Sequence, residues 1–218
     1  MTQAKGDFQN LNFELANPGK LTQGSFGPSY ADNVPVANLL PYWSVYYGAD
    51  QQTYINYNDP GLGSTMVTLV GGTWPPIDGN YSVLLQGGIT ASAASITQTA
   101  LIPTGTESLF FEAQPGLGTL DVSIGSQLVS FTVVGSRANY TLYGANISAF
   151  SGDTEQLTFS ALKDTGSDNN WLIDDITFSQ TAVTPEPGTL ALFIMAGMTF
   201  GVRSWRKRVK ASRQDHKA

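Results

Sequence analysis

The sequence predicts an all-β fold, a two-sheet jelly-roll sandwich over residues 7–180 followed by a single C-terminal hydrophobic helix. Three observations carry that expectation. Residues 7–180 show no convincing 3.6-residue apolar period, but they do show alternating stretches of four to eight residues separated by Gly, Asn, Asp and Pro. Gly-rich breaks at Gly61-Leu62-Gly63, Gly71-Gly72, Gly87-Gly88 and Gly116-Leu117-Gly118 punctuate those stretches as turns do. The long uncharged stretch from Thr189 to Val202 stands apart, behind Pro185 and Pro187.

Taken in order, the predicted strands begin with Phe8–Leu15 and Trp43–Tyr47. Met66–Val70 and Tyr81–Leu85 follow, each closed by a glycine-rich break, and then Ser95–Gln98 and Ser108–Ala113. Leu120–Ile124, Leu128–Val134, Tyr140–Tyr143, Gln156–Phe159 and Trp171–Phe178 complete the series. Eleven short strands in about 175 residues suit two packed sheets, and no fixed-period repeat is present, so the body reads as one domain. Residues 181–187 form a linker, 188–210 a hydrophobic helix with a basic cluster, and 211–218 a polar tail.

Charge divides the chain in the same place. Residues 1–184 carry 15 acids against four bases (Lys5, Lys20, Arg137, Lys163), a net of −11, whereas residues 185–218 carry two acids and seven bases, a net of +5. Such an acidic body offers no surface for phosphate backbones, which excludes a nucleic-acid partner. There is no cysteine, and the single histidine, His216, lies in the tail. Disulfides, thiolate metal sites, cysteine nucleophiles and a Ser-His-Asp triad in the body are therefore excluded. Any metal in the body would be held by oxygen, which points to Ca²⁺ or Mg²⁺.

The stretch Thr189–Val202 is 14 residues long. At ~1.5 Å per residue it spans roughly 21 Å, short of a hydrocarbon core of ~30 Å. Its flanks lengthen it: Arg203, Arg206, Lys207, Arg208 and Lys210 follow at once and can snorkel, and Trp205 suits the interface. The positive end is expected to stay cytoplasmic with the acidic body outside. Pro185-Glu186-Pro187, an apolar helix and a terminal Arg/Lys cluster resemble the PEP-CTERM sorting signal of Gram-negative, exopolysaccharide-producing bacteria. The resemblance implies export, transient arrest in the inner membrane, cleavage near Pro185-Glu186-Pro187 by an exosortase-type membrane protease, and release to the cell surface or extracellular matrix. An ordinary single-pass anchor is the alternative. The opening MTQAKGDFQNLNFE lacks the apolar run of a signal peptide, which sits in tension with export.

A second resemblance sits at the two ends of the body. Asn10-Leu11-Asn12-Phe13-Glu14 looks like the opening, and Trp171-Leu172-Ile173-Asp174-Asp175-Ile176 like the closing strand, of galactose-binding-like jelly rolls, a frame shared by many carbohydrate-binding modules. The resemblance implies neighbouring first and last strands, with Glu14 and Asp174 helping to hold a structural Ca²⁺. Independently, a period of two puts Asp174 on a face with Leu172, Ile176 and Phe178, and a carboxylate there needs a cation or several donors. The alternative is that Asp174 caps a turn through backbone N–H groups while Asp175 is solvated.

Aromatic rings stack on sugars, and Tyr42-Trp43-Ser44-Val45-Tyr46-Tyr47 carries four of them. Period two gives Trp43, Val45 and Tyr47 a core face and leaves Tyr42 and Tyr46 as ligand candidates. Trp74, in the loop Gly71-Gly72-Thr73-Trp74-Pro75-Pro76, is the first choice for a binding aromatic, and Trp171 reads as a strand-edge packing residue. The expected function is an exported, non-catalytic surface or matrix protein that binds extracellular polysaccharide or acts structurally in a biofilm. The alternatives are an adhesin-like protein without sugar affinity and a carboxylate-dependent glycosidase.

Overall fold

The computed structural model of the protein describes residues 6–19, 31–61, 63–114, 116, 118–164 and 169–184. The chain divides into two units between Thr184 and Pro185. The C-terminal helix, Pro185-Glu186-Pro187 and the basic residues Arg203, Arg206, Lys207 and Arg208 lie outside the described residues. Among the described residues no helix is long and apolar enough to cross a membrane.

The body is an all-β sandwich of two sheets. Its elements are β1 (Ala31–Pro35), α1 (Val36–Leu39), β2 (Ser44–Tyr47), β3 (Asp50–Gln52), β4 (Tyr54–Tyr57), β5 (Met66–Gly71), β6 (Tyr81–Gly87) and β7 (Ala93–Leu101). They continue with β8 (Ser108–Gln114), β9 (Leu120–Ile124), β10 (Gln127–Leu128), β11 (Phe131–Ser136), β12 (Thr141–Asn146), β13 (Thr154–Leu162) and β14 (Asn169–Ser179). One sheet has eight strands in the order β1-β4-β5-β6-β14-β8-β12-β11, and the other six in the order β10-β9-β13-β7-β2-β3. The ladders are antiparallel except β4 against β5.

Alternation along each strand builds the core. Val67 and Leu69 of β5, Val83 and Leu85 of β6, Leu109 and Phe111 of β8, and Trp171 and Ile173 of β14 all face the six-stranded sheet. That sheet answers with Val45, Ile96, Val122, Leu157 and Phe159. Phe111 ties the halves together: its ring centroid lies 5.2 Å from Phe159 of the opposite sheet, and 5.3 Å from both Phe131 and Tyr143. Trp43 is buried, as its alternation implies, with its Nε1–H donating to the Asn10 carbonyl at 2.9 Å.

Four expectations need correction. Phe8–Leu15 is not a strand: Asn10 and Phe13 take left-handed φ angles of 52° and 58°, so the segment folds into an arch. It is held by Leu15 N–H on Asn10 Oδ1 at 3.0 Å, and joined to β14 by Ile176 N–H on the Leu11 carbonyl at 3.0 Å. Leu128–Val134 is two strands, with Val129 buried between them. In β14 the period of two breaks at a bulge between Asp174 and Thr177, with Asp175 at φ 42°. Leu172 and Asp174 therefore point to the outer face, and Ile176 and Phe178 to the core. Trp171 packs in the core of a central strand rather than at an edge.

Candidate functional site

The connection between β5 and β6, residues 72–80, crosses the outer face of the eight-stranded sheet. Beneath it Val70, Ile77 and Leu84 are buried yet stand apart from the main core. The loop is pinned from its own strand, from the N-terminal arch and from β14. Ser82 Oγ accepts Ile77 N–H at 2.8 Å and donates to Asp174 Oδ2 at 2.6 Å, and that oxygen also accepts Asp78 N–H at 3.3 Å. Glu14 Oε1 accepts the backbone N–H groups of Asn80 at 2.7 Å and Tyr81 at 3.0 Å, while Oε2 accepts Asn80 Nδ2 at 2.8 Å. Asn139 Nδ2 donates to the Ile77 carbonyl at 2.8 Å. Gly79, at φ 58°, lies directly against Glu14 Oε1, where a side chain would collide.

The loop thereby presents Trp74 at 39% exposure over a groove of about 360 Å³. Trp74 and Pro75 form one wall; Val70, Leu84 and Leu172, on three neighbouring strands, form an apolar floor; Gln114, Gly116 and Asn170 complete it. The registers Leu84↔Leu172 and Leu172↔Gln114 place these side chains in one row across the sheet. Gly116 lies against the Asn170 backbone, an approach that a Cβ would prevent. Of the four buried oxygens without a partner among the described residues, three, Thr68 Oγ1, Gln86 Oε1 and Glu112 Oε2, alternate with core residues and so lie on this same outer face. Each costs about 1–3 kcal/mol if left dry, so a water or ligand group is the natural partner. Among the described residues that line it none is ionisable. The groove can hold a flat ligand with an apolar face and a hydroxyl-bearing edge.

The residues singled out by sequence fall in distinct places. Trp74 is in the groove. Tyr46 is on the outer face of the six-stranded sheet, and Tyr42, 64% exposed at φ 74°, stands beside α1 and Trp43. Glu14 and Asp174 meet at the root of the Trp74 loop, but each directs both oxygens at N–H or O–H donors, including Asp175 N–H on Asp174 Oδ1 at 2.8 Å. The two carboxylates thus clamp the Trp74 loop through N–H and O–H donors, and among the described residues no three His, Cys, Asp or Glu side chains converge. Accordingly, thermal unfolding is expected to be the same in EGTA and in millimolar Ca²⁺, and a calcium-dependent rise in Tm would contradict the clamp. Sequence reasoning missed Gln114, Asn170 and Leu172; their shared parity across three strands becomes visible only once strand order is known.

Burial pushes Asp174 up to about 7, against the lowering effect of its hydrogen bonds from Ser82, Asp175 and Asp78. Burial, with the adjacent Asp32 carboxyl, pushes Asp59 up to about 6. Asp175 is raised by burial and by the charges of Asp78 and Glu14, and Glu112 is raised chiefly by burial. Folded pKa values above the unfolded ones mean that the fold favours the neutral acids. Their stabilising contribution is complete below about pH 4 and is lost as pH rises through 6 to 7. The protein should therefore melt higher at pH 5 than at pH 8, and Asp174→Asn should flatten the upper part of that slope. A wild-type Tm that increases from pH 5 to pH 8 would contradict this. Asp174 and Asp59, the two carboxyls with the largest upward shifts, are only 1% and 5% exposed.

Fold and site define a β-sandwich with an aromatic groove on the outer face of its larger sheet. No family model matches the chain, and no curated protein matches it. Among solved structures it is similar to a family 61 carbohydrate-binding module in complex with β-1,4-galactotriose. The identity is 11% and the TM-score 0.33, over 82% of this chain and 100% of that one. A likeness of that degree carries no argument about this chain's ligand.

Proposed function

We propose that the chain is an exported, non-catalytic glycan-binding protein, held transiently in the inner membrane by its tail and released to the surface or extracellular matrix. The observation that carries the binding part is the Trp74 groove. An indole held out on a clamped loop faces an apolar floor with amides at its rim, and none of the described residues that line it is ionisable. A pyranose ring offers the complementary surface, with C–H groups for the indole and floor and hydroxyls for Gln114 and Asn170. Clamping the loop beforehand lowers the ordering cost of binding. The sorting part rests on Pro185-Glu186-Pro187 followed by the apolar and basic segments. An exosortase-type protease is the partner this reading implies.

The binding half is tested on a glycan array with the full-length protein. Retention by neutral polysaccharides supports it, and silence across the array favours a structural role without sugar affinity. The sorting half is tested by mass spectrometry of the surface protein from its native host. A C-terminus near residue 187 supports processing, and an intact Ala218 overturns it.

A further inference from the structure

We propose that the protein has a second saccharide-binding groove, on the opposite outer face of the sandwich, and that it bridges two neutral polysaccharide chains. This rests on the glycan-binding reading of the Trp74 groove and adds to it a site built from different residues. The outer face of the six-stranded sheet is a hydroxyl lattice. One cross-strand row runs Ser123–Thr158–Thr97–Ser44 over four adjacent strands, and the next runs Asp121–Ser160–Ser95–Tyr46. Ser95 and Ser160 hydroxyls are bonded to each other at 2.8 Å, which fixes part of the lattice. Over these rows lies a depression of about 370 Å³, with Tyr46 contributing an aromatic ring and Gln156 an exposed amide.

Charge selects the occupant. The lining, Tyr46, Gly48, Ser95, Thr97, Gln156 and Thr158, carries no group that is charged at neutral pH. With 15 acids against four bases in residues 1–184, the body repels an anionic polymer. A ligand that matches hydroxyls and an amide without bringing charge is a neutral sugar. Packed sheets lie on the order of 10 Å apart, with side chains adding to both outer surfaces, so the two grooves face opposite directions. One short oligosaccharide cannot occupy both. Two polymer strands can, and bridging then raises retention through effective concentration without any new contact.

The test is titration calorimetry of the full-length protein with short neutral galacto-, xylo- and gluco-oligosaccharides, paired with turbidity of the matching polysaccharides. Wild type is expected to bind two ligands per chain and to cross-link polymer. Trp74→Ala and Tyr46→Ala should each bind one and cross-link none, and the double variant should bind none. Gln156→Ala, an exposed position, serves as the second probe of the Tyr46 groove and should weaken only that site. One ligand per chain, lost in Trp74→Ala and untouched by Tyr46→Ala and Gln156→Ala, overturns the second groove and leaves the first. One ligand lost only in Tyr46→Ala overturns the Trp74 groove and the bridging together. No binding of any probe overturns both.

Discussion

Phe111→Ala is expected to lower the unfolding free energy by about 3–5 kcal/mol, the range for deleting a buried phenyl ring. The ring is fully buried at the centre of the sandwich. It touches Phe131 and Tyr143 on its own sheet and Phe159 across the interface, so no single neighbour can move in to fill the space. Loss of that size is a large share of the ~5–15 kcal/mol that holds an ordinary domain together. Urea unfolding followed by circular dichroism reads it directly. Val133→Ala, on the exposed edge strand β11, should by comparison stay within about 0.5 kcal/mol of wild type. If Phe111→Ala unfolds at the wild-type midpoint, the aromatic cluster is not the junction of the two sheets.

Trp74→Ala is expected to do the reverse, leaving stability nearly unchanged while weakening glycan binding at its own groove. The indole is 39% exposed and none of its atoms belongs to the core. Covering one of its faces with a sugar ring removes on the order of 80–100 Å² of apolar surface from water, about 2–2.5 kcal/mol. Affinity should therefore fall roughly 30- to 70-fold. Affinity electrophoresis in polysaccharide-containing gels measures the fall, and an unchanged Tm shows that it is not a folding defect. Weakening Glu14 as Glu14→Gln should give a smaller loss by the same route, because it loosens the loop without touching the ligand.

The β-character of the body and the position of nearly every long strand could be read from alternation and glycine breaks. What could not be read was set by contacts distant in the chain. Phe8–Leu15 has strand-like composition, but Asn10 and Phe13 adopt left-handed backbone to let the arch receive Trp43 and hand a carbonyl to Ile176, none of which leaves a local trace. The short strands Ala31–Pro35, Asp50–Gln52 and Tyr54–Tyr57 escaped because they are brief and at or near sheet edges, where Pro35 is tolerated. For the site, a loop tryptophan with no packing duty was legible, and so was one carboxyl, Asp174, needing compensation, with backbone donors as one of its two readings. The part that Glu14 plays was not. Glu14 and Asp174 satisfy that need with N–H and O–H donors from the Trp74 loop itself, and the bulge at Asp175 conceals which face Asp174 occupies.

The central claim is that a neutral glycan lies against Trp74 on the outer face of the eight-stranded sheet. Indole N–H resonances resolve it residue by residue. Trp43 and Trp171 have their Nε1–H groups bonded to the Asn10 and Gly118 carbonyls inside the body, whereas Trp74 stands over the groove. On titrating the full-length protein with the neutral oligosaccharide that binds it best, the Trp74 indole signal is predicted to shift with the binding curve while those of Trp43 and Trp171 stay in place. Saturable binding that leaves the Trp74 signal unmoved would contradict the account.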